Sequence, residues 1–518
     1  MTTATTDGHP HPVGLAWDAF DLLPEHVQHP TYTRAQLSPG IVHFGVGGFH
    51  RAHEAMYLDR LMNQGRALDY GIVGVGTMPG DARMRDALRG QDHLYTLVLK
   101  HPDGRREARV IGSIVDYLFA PDDPQAVLER LCDPTTRIVS LTVTEGGYHV
   151  NRVTGELDSS DPALCADLVE PHRPRTVFGF LVEALRRRRA ARLPPFTVMS
   201  CDNLPGNGDT ARTMISAFAA LRDEELARWI GAEVAFPNTM VDRITPVTTE
   251  EDVTALAAHG VEDAWPVVCE PFTQWVVEDH FPAGRPPFEE AGVQLVEDVT
   301  AYELMKLRLL NASHQAIAYL GTLAGYRQAH EVCRDPVFAE FALGYMEHEG
   351  SPTLPPVPGV DLGAYRHQLI ERFANPHVRD SLARLCAESS DRIPTWLVPV
   401  IRENLAAGRP VERAALVVAS WARYAEGVDE QGRPLEVVDR REAQVRAAAA
   451  ARHKDPLAFL RDPDLFSDLS TNDRFTGAYL RALASLHEHG ASATVTALVK
   501  RGVRPSHTVP LSEPEGFS

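Results

Sequence analysis

An apolar segment that runs directly into a glycine-rich turn constrains the fold of this chain more than any other feature. Residues 40–44 are predicted to form a buried strand, GVGGFH (45–50) follows at once, and 54–62 is predicted to be helical. A strand, a glycine turn and a helix in this order present backbone N–H groups and a helix N-terminus to a pyrophosphate. Side chains in the turn would block that approach. His50 takes the place of the third glycine of the usual fingerprint, so an ordinary tight turn stays open as the alternative.

A second apolar segment, 70–75, is predicted to form another strand. In a dinucleotide-binding fold the end of this strand carries an acidic residue that accepts hydrogen bonds from the adenosine ribose hydroxyls. Asp81 is the best candidate, and a carboxylate there disfavours the additional phosphate of NADP. Arg83 and Arg85 are close in sequence, and a turn or N-cap role for Asp81 is the alternative.

Strands and helices continue to alternate up to about residue 297. Strands are predicted at 95–99, 109–114, 137–144, 196–201, 236–242, 267–269 and 274–279, and helices at 126–131 and 176–189. Asn203 and Asp242 lie at the carboxyl ends of two of these strands, which is where open α/β sheets bind ligands. A turn-forming role beside Pro205 and Gly206 explains Asn203 equally well. The fold class is therefore α/β, with an N-terminal arm (1–36) and a Rossmann-type domain (37–297).

Beyond this point the pattern becomes mainly helical, which predicts a second domain over 298–518. Helices are predicted at 300–323, 335–347, 361–374, 377–387, 396–406, 412–425 and 441–452. Arg384 and Arg392 are near a predicted helix end, where they could bind polyhydroxylated or anionic ligands. Ordinary surface arginines are the alternative.

The first of these helices carries three polar residues among apolar ones: Lys306, Asn311 and His314. At 100° per residue, Asn311 lies about 140° and His314 about 80° round the helix axis from Lys306. A lysine, an amide and an imidazole on one side of an apolar helix indicate a polar pocket. A partly exposed amphipathic helix with incidental polar residues is the alternative.

Composition excludes several classes of function. The 518 residues carry a formal net charge of −19, which argues against a general nucleic-acid or anionic-membrane surface. The six cysteines are scattered singly, and neither a CxxC pair nor an HExxH pattern occurs, so no metal site is predicted. The N-terminus lacks the features of a secretion signal, and no segment approaches 18 consecutive apolar residues, so a cytoplasmic protein is expected.

Six sequence blocks together resemble the polyol-specific long-chain dehydrogenases. They are IVHFGVGGFHRAH (41–53), SLTVTEGGY (140–148), FTVMSCDNLPGNG (196–208), FPNTMVDRITP (236–246), PVVCEPFTQW (266–275) and YELMKLRLLNASHQAIAYLG (302–321). The resemblance runs from about residue 35 to beyond 500. It implies a zinc-independent, NAD-dependent, usually monomeric enzyme with a Rossmann domain and a helical substrate domain. The blocks at 202–208, 263–272 and 412–432 most resemble the members that interconvert D-mannitol and D-fructose.

The resemblance also implies roles for individual residues. The catalytic lysine falls on Lys306, acting as general base, with Asn203 and Asn311 as an oxyanion hole and His314 beside them. The implied substrate-binding residues are Asp242, His314, Arg384 and Arg392. Cofactor contacts are expected at Gly45, Val46, Gly47, Gly48, Phe49, Asp81, Thr144 and Glu145. Arg392 replaces a lysine of the relatives, and Gly80 replaces an acidic residue found in some, which leaves the substrate contacts and the strictness for NAD open.

Three other interpretations remain. Tyr302 and Lys306 match the YxxxK pattern of short-chain dehydrogenases, although the motif comes far too late in the chain for that fold. The substrate could be D-arabinitol or fructuronate, since an arginine pair also suits a carboxylate. A non-catalytic NAD-binding protein is the third interpretation, and the intact set of Lys306, Asn311, His314 and Asn203 argues against it.

Overall fold

The computed structural model describes residues 11–151 and 155–502, and the chain divides into two compact units, Met1–Glu303 and Leu304–Ser518. Thirteen strands lie in the described part of the first unit: β1 Val13–Gly14, β2 Pro39–Phe44, β3 Gly71–Gly76, β4 Tyr95–Lys100, β5 Arg106–Ile111, β6 Ile114–Phe119, β7 Ile138–Leu141, β8 Thr197–Ser200, β9 Thr239–Asp242, β10 Val261–Glu262, β11 Val267–Cys269, β12 Gln274–Glu278 and β13 Gln294–Val296. The α-helices described alongside them are α1 Gly48–Ala52, α2 Glu54–Asn63, α3 Ala82–Arg89, α4 Pro124–Cys132, α5 Pro162–Val169, α6 Val177–Ala190, α7 Asn207–Ala220, α8 Glu224–Glu233 and α9 Glu250–Ala258.

The centre of the first unit is a five-stranded parallel sheet in the order β6-β3-β2-β7-β8. If these five strands are renumbered 1 to 5 along the chain, their order across the sheet is 3-2-1-4-5, which is that of a Rossmann fold. The direction of winding reverses between β2 and β7. The predicted fold class is therefore confirmed. Strand β6 was not predicted as a separate strand, because it begins only three residues after β5 ends.

Both faces of this sheet are covered, which is why its strands are almost wholly apolar. Side chains alternate along β2: Ile41 packs with Leu58 of α2 on one face, whereas Val42 and Phe44 pack with Leu181 of α6 on the other. All of these side chains are fully buried. The two cores fix the strand register and so fix the loops at the carboxyl edge of the sheet.

Several predicted strands do not extend the parallel sheet. β4 pairs antiparallel with β5 and parallel with β11, and β9 pairs antiparallel with β12, which also pairs with β13. The five residues between β4 and β5 are too few for the crossover that parallel pairing requires. The expectation that β4 and β5 continue the βα alternation is therefore wrong.

The predicted N-terminal arm packs on the first unit where the structure describes it, from residue 11. Val13 pairs with Val261, and Leu15, Leu23 and Val27 are buried in a small apolar core. Residues 1–10 of the arm lie outside the described part of the chain.

The second unit is helical. Helix α10 (Thr300–Met305) crosses the division between the units, and the later α-helices are α11 Ala312–Leu323, α12 Ala329–Arg334, α13 Pro336–Tyr345, α14 Leu362–Phe373, α15 Leu382–Cys386, α16 Ser389–Trp396, α17 Val398–Ala406, α18 Glu412–Tyr424, α19 Glu442–Ala450, α20 Pro463–Phe466 and α21 Asp473–Gly502. Up to residue 502, where the described part of the chain ends, two π-helical turns interrupt them, Lys306–Asn311 and Met346–Gly350. Helix α21 was not predicted from the sequence, and it breaks at Gly490, where φ is +79°. Among the described helices, none combines the length and the apolar character that a membrane span requires.

Candidate active site

The glycine turn after β2 meets the loop after β7 at the point where the winding of the sheet reverses. Gly45 has a φ of +93°, and a Cβ atom on it would lie 2.1 Å from the carbonyl oxygen of Thr142. The Thr142 hydroxyl in turn donates to the carbonyl of Gly45 at 2.8 Å. Glycine is required here by its backbone conformation and by this close approach. The turn therefore leaves backbone at the site where a Rossmann fold binds a dinucleotide.

His50 follows this turn in α1 and explains why the third glycine is missing. Its ring stacks on that of His43 in β2, with centroids 3.4 Å apart, so helix and strand pack through imidazole rings. Glu54 lies 3.2 Å from Nδ1 of both rings, and all three side chains are buried. Burial, together with the neighbouring His43, lowers the pKa of His50 to about 4, so this ring is neutral at neutral pH.

The same three residues form a group with the composition of a metal site, within the part of the chain that the structure describes. Nδ1 of His43 contacts the Ser140 hydroxyl at 2.8 Å, and Nε2 contacts the Thr142 hydroxyl at 2.9 Å. Since hydroxyls occupy both nitrogens of His43, the contacts favour a hydrogen-bonded network over three metal ligands. The absence of a metal stays a prediction.

Asp81 lies beyond the end of β3, as the sequence analysis expected for a ribose-binding carboxylate. Its Oδ2 accepts hydrogen bonds from the backbone N–H groups of Thr77 and Met78, each at 2.9 Å. Asp81 therefore does act as a turn residue, which was the alternative role. The same two hydrogen bonds fix its carboxylate at the carboxyl edge of the sheet.

Asp202, at the end of β8, fixes the loop after β7 and was missed as a functional residue. Its carboxylate accepts from the N–H groups of Val143 and Thr144 at 3.1 and 2.8 Å, and from the Tyr148 hydroxyl at 2.8 Å. These bonds hold Thr144 at a φ of +62°, a conformation that non-glycine residues rarely adopt. Burial raises the pKa of Asp202 to about 6. The signal was its position inside the FTVMSCDNLPGNG block (196–208), directly before Asn203.

The side chains on the two loops that Asp202 holds together are exposed. Thr144 and Glu145 follow the strained turn, and Asn203 follows Asp202 itself; all three are exposed to solvent. Three of the predicted cofactor and catalytic residues therefore lie on adjacent loops at one edge of the sheet.

Asp242 lies at the end of β9, in the separate antiparallel sheet rather than in the parallel one. The Thr239 hydroxyl donates to the carbonyl of Ser200 at 2.6 Å, and the Asn207 amide donates to the carbonyls of Asp202 and Thr239 at 3.0 and 2.9 Å. These bonds hold β9 against the end of β8, so Asp242 lies near the same edge although its strand belongs to another sheet. Asp242 is buried. Asn207 was not predicted as a functional residue, although its place in the turn PGNG (205–208) was an available signal.

In the second unit, a π turn brings the predicted catalytic residues into line. The N–H of Ala312 donates to the carbonyl of Leu307, five residues back, and Lys306–Asn311 is π-helical. A π turn takes about 4.4 residues, or roughly 82° each, so Asn311 lies about 50° and His314 about 10° from Lys306 round the axis. The expectation of one uniform α-helix over 300–323 is wrong at this turn. Compared with an α-helix, the π turn narrows the angular spread of the three side chains round the helix axis from about 140° to about 60°.

All three side chains are buried, with exposed fractions of 9% for Lys306, 5% for Asn311 and 7% for His314. The His314 ring packs on Phe373 of α14, with centroids 4.2 Å apart. The amide nitrogen of Asn311 has no hydrogen-bond partner among the described residues. Buried donors without an acceptor are rare in folded proteins, so this one is a candidate to bind a ligand oxygen.

The two arginines predicted to bind substrate are connected to one another. Arg384 forms a two-fold ion pair with Asp380, with N–O distances of 2.7 and 2.6 Å. Arg392 donates to the carbonyls of Arg384 and Leu385, each at 3.0 Å. Arg392 therefore caps the end of α15, and Asp380 offsets the charge of Arg384.

Comparison with known proteins assigns both units to one family. A family model described as the mannitol dehydrogenase Rossmann domain matches residues 39–290, and one described as the mannitol dehydrogenase C-terminal domain matches residues 298–487. The chain belongs to the mannitol dehydrogenase family. All predicted site residues from Gly45 to Asp242 lie within the first match, and those from Lys306 to Arg392 lie within the second.

Individual members of the family are similar along most of the chain. A mannitol 2-dehydrogenase of Neosartorya fischeri is 49% identical over 477 residues, which cover 90% of this chain and 95% of that protein. One of Aspergillus oryzae is 48% identical, with the same coverage of both chains. The solved structure of Pseudomonas fluorescens mannitol 2-dehydrogenase in ternary complex with NAD and D-mannitol gives a TM-score of 0.87 at 46% identity, covering 94% of this chain and 100% of that one. A D-sorbitol dehydrogenase in substrate-free form gives 0.85 at 39% identity, covering 93% and 100%.

Proposed function

We propose that this chain is an NAD-dependent polyol dehydrogenase that oxidises D-mannitol reversibly to D-fructose without a metal ion. The observation that carries the proposal is the π turn in the second unit, which places Lys306, Asn311 and His314 on one buried face of a helix. A buried base beside an amide donor is the pair of groups that alcohol oxidation requires. Similarity to mannitol 2-dehydrogenases over 90% of the chain supports the substrate.

The residues at the carboxyl edge of the parallel sheet fit NAD. At Gly45 a side chain would collide with Thr142, so backbone alone is presented there. Contacts are proposed for the turn residues Gly45, Val46, Gly47, Gly48 and Phe49, for Asp81 at the ribose, and for Thr144 and Glu145. When bound, NAD supplies the acceptor for the hydride that leaves the alcohol carbon. The carboxylate of Asp81 disfavours a phosphate on the ribose.

Lys306 is proposed as the general base. Oxidation of an alcohol requires its hydroxyl to lose a proton, and a base works best when its pKa is near the operating pH. Lys306 is buried, with an exposed fraction of 9%. Its Nζ takes the proton from the substrate hydroxyl and returns it when the ketose is reduced.

Asn311 and Asn203 are proposed to stabilise the negative charge that forms on the substrate oxygen. Amide N–H groups donate hydrogen bonds without titrating, so their effect does not depend on pH. The buried amide nitrogen of Asn311, with no partner among the described residues, supports this role. Asn203 contributes a second amide from an exposed loop that Asp202 and Asn207 hold in place.

His314, Asp242, Arg384 and Arg392 are proposed to bind the remaining hydroxyls of the substrate and so to select the carbon that reacts. The ion pair of Arg384 with Asp380 favours a neutral polyol over a sugar acid, because the positive charge is already compensated. This contact is the reason for ranking fructuronate and other sugar acids second.

A substrate panel tests the proposal. NADH absorbance is followed with D-mannitol, D-sorbitol and D-arabinitol in the oxidative direction, and with D-fructose and fructuronate in the reductive one. D-mannitol and D-fructose should give the highest kcat/KM, and a chelator should leave the rates unchanged. Preference for fructuronate would reject the polyol assignment, and NADH binding without turnover of any substrate would indicate a non-catalytic protein.

A further inference from the structure

The π turn at Lys306–Asn311 removes a backbone carbonyl from its usual hydrogen bond. In an α-helix the N–H of Ala312 would donate to the carbonyl of Arg308, four residues back. Here it donates to Leu307 instead. A buried carbonyl that loses its donor costs free energy unless another group replaces it. The stability of the π turn therefore depends on what contacts the carbonyl of Arg308.

The replacement donor is the hydroxyl of Tyr345, the last residue of α13. It donates to the carbonyl of Arg308 at 3.2 Å, and the Tyr345 side chain is fully buried. Burial raises the pKa of this phenol well above its usual value, so the hydroxyl keeps its proton and remains a donor. A side chain far away in sequence thus satisfies the carbonyl that the π turn displaces.

Arg308 is held from other directions as well. Its guanidinium forms two bonds to Glu403, at 2.8 and 2.7 Å, and one to the carbonyl of Thr353 at 2.6 Å. A Cβ atom on Gly350, in the second π turn, would lie 3.3 Å from the Arg308 carbonyl oxygen. The two π turns therefore pack closely together, and little room remains for the first to rearrange.

We propose that Tyr345 is a positioning residue for the proposed polyol oxidation, acting through the carbonyl of Arg308 to hold the π turn that aligns Lys306 with Asn311. The catalytic consequence rests on the proposed function. Without the π turn, Asn311 moves by roughly 90° round the helix axis away from Lys306. Lys306, the proposed base, and Asn311, the proposed amide donor, then no longer contact the same substrate oxygen.

The first test compares Tyr345→Phe with Tyr424→Phe. The first substitution removes only the hydroxyl that reaches Arg308. The second removes a comparable bond, from the buried Tyr424 to the carbonyl of Glu436 at 2.7 Å, elsewhere in the same unit. We expect kcat on D-mannitol to fall about 10-fold in Tyr345→Phe with KM for NAD unchanged. In Tyr424→Phe kcat stays within about two-fold of wild type, because the turn is not touched.

A double-mutant cycle separates positioning from general loss of structure. Tyr345→Phe is combined with Asn311→Ala, which removes the amide that the turn places. If Tyr345 acts through that placement, its effect on kcat shrinks to less than about two-fold in the Asn311→Ala background. The same fold-change in both backgrounds overturns the proposal, since it would mean that Tyr345 acts independently of the amide.

Hydrogen–deuterium exchange gives a readout that does not depend on catalysis. Peptides covering residues 306–313 should exchange faster in Tyr345→Phe than in wild type and in Tyr424→Phe, because the π turn opens more often. Unchanged exchange together with unchanged kcat rejects the role of Tyr345. If wild type turns over no polyol, the proposed function fails, and exchange alone then decides whether Tyr345 holds the turn.

Discussion

At the scale of single residues, the buried polar groups of the candidate site fall into two kinds. The carboxylate of Asp202 accepts bonds from Val143, Thr144 and Tyr148, so its role is to hold a loop. The amide nitrogen of Asn311 finds no acceptor among the residues that the structure describes. The first kind builds the site, and the second is suited to bind what enters it.

Lys306→Ala tests the proposed base. Removing the group that takes the proton should lower kcat on D-mannitol by several orders of magnitude, whereas NADH affinity stays nearly unchanged. Steady-state rates and a fluorescence titration with NADH measure the two quantities. Lys454→Ala, at an exposed position of the same unit, should leave both at wild-type values. Near-normal turnover by Lys306→Ala would remove Lys306 from the mechanism.

Tyr302→Phe distinguishes this mechanism from one in which the tyrosine of a YxxxK pattern is the base. Tyr302 is buried, and its hydroxyl accepts a hydrogen bond from the Gln294 amide at 2.6 Å, which supports a structural role. We expect kcat to stay within about two-fold of wild type, with some loss of thermal stability from the missing bond. An inactive but folded Tyr302→Phe enzyme would make the tyrosine the base instead.

At the scale of secondary-structure elements, two irregular turns determine where reactive groups lie. The turn after β2 depends on a positive φ at Gly45, which a glycine in the sequence signals directly. The π turn has no such signal, because Lys306–Asn311 consists of residues that favour an α-helix. The residues that bond to Arg308 within this turn include Tyr345 and Glu403, both far away in sequence.

Gly45→Ala tests the first of these turns. A methyl group there meets the Thr142 carbonyl, so the loop must move, and NAD affinity should fall at least 100-fold, measured by calorimetric titration. Gly65→Ala is the matched control, since Gly65 also has a positive φ, +71°, but has no atom within 4 Å of the added carbon. It should cost about 1 kcal/mol of unfolding free energy and leave NAD affinity unchanged. Equal NAD affinity in the two variants would show that the close approach at Gly45 is irrelevant to binding.

At the scale of the whole molecule, what the sequence could predict follows from how local each signal is. The strands at residues 40–44 and 70–75, the glycine turn and the helix with Lys306 are local patterns, and all of them appear in the structure. The pairing partner of a strand is not a local property. The strand that ends at Asp242 was therefore expected in the parallel sheet, whereas β9 lies in another sheet. The same reason hid Asp202 and Asn207, whose roles depend on loops brought together by the fold. The roles of the predicted site residues stay predictions.

Global stability should depend on pH through Glu349, a fully buried carboxyl that accepts from the N–H groups of Arg413 and Ala414 at 2.8 Å each. Burial raises its pKa to about 7, above the usual value of 4.5. Between these values the folded state keeps a proton that the unfolded state has lost, so the contribution of Glu349 to stability falls as pH rises from about 4.5 to about 7. The side chain in Glu349→Gln cannot ionise, so the stability of this variant does not fall with pH in this way. The variant does lose one of the two acceptor oxygens.

Urea unfolding of wild type and Glu349→Gln at about pH 5 and about pH 8 measures the effect. The variant should gain roughly 1–3 kcal/mol relative to wild type between the two conditions, because each unit of pKa shift corresponds to about 1.4 kcal/mol. Glu347 lies at an exposed position of the π turn Met346–Gly350, which also contains Glu349. Glu347→Gln should therefore have the same unfolding free energy as wild type at both pH values. A pH-independent difference between Glu349→Gln and wild type would mean that Glu349 is ionised throughout. In that case its bonds to the start of α18 outweigh the cost of burying the charge.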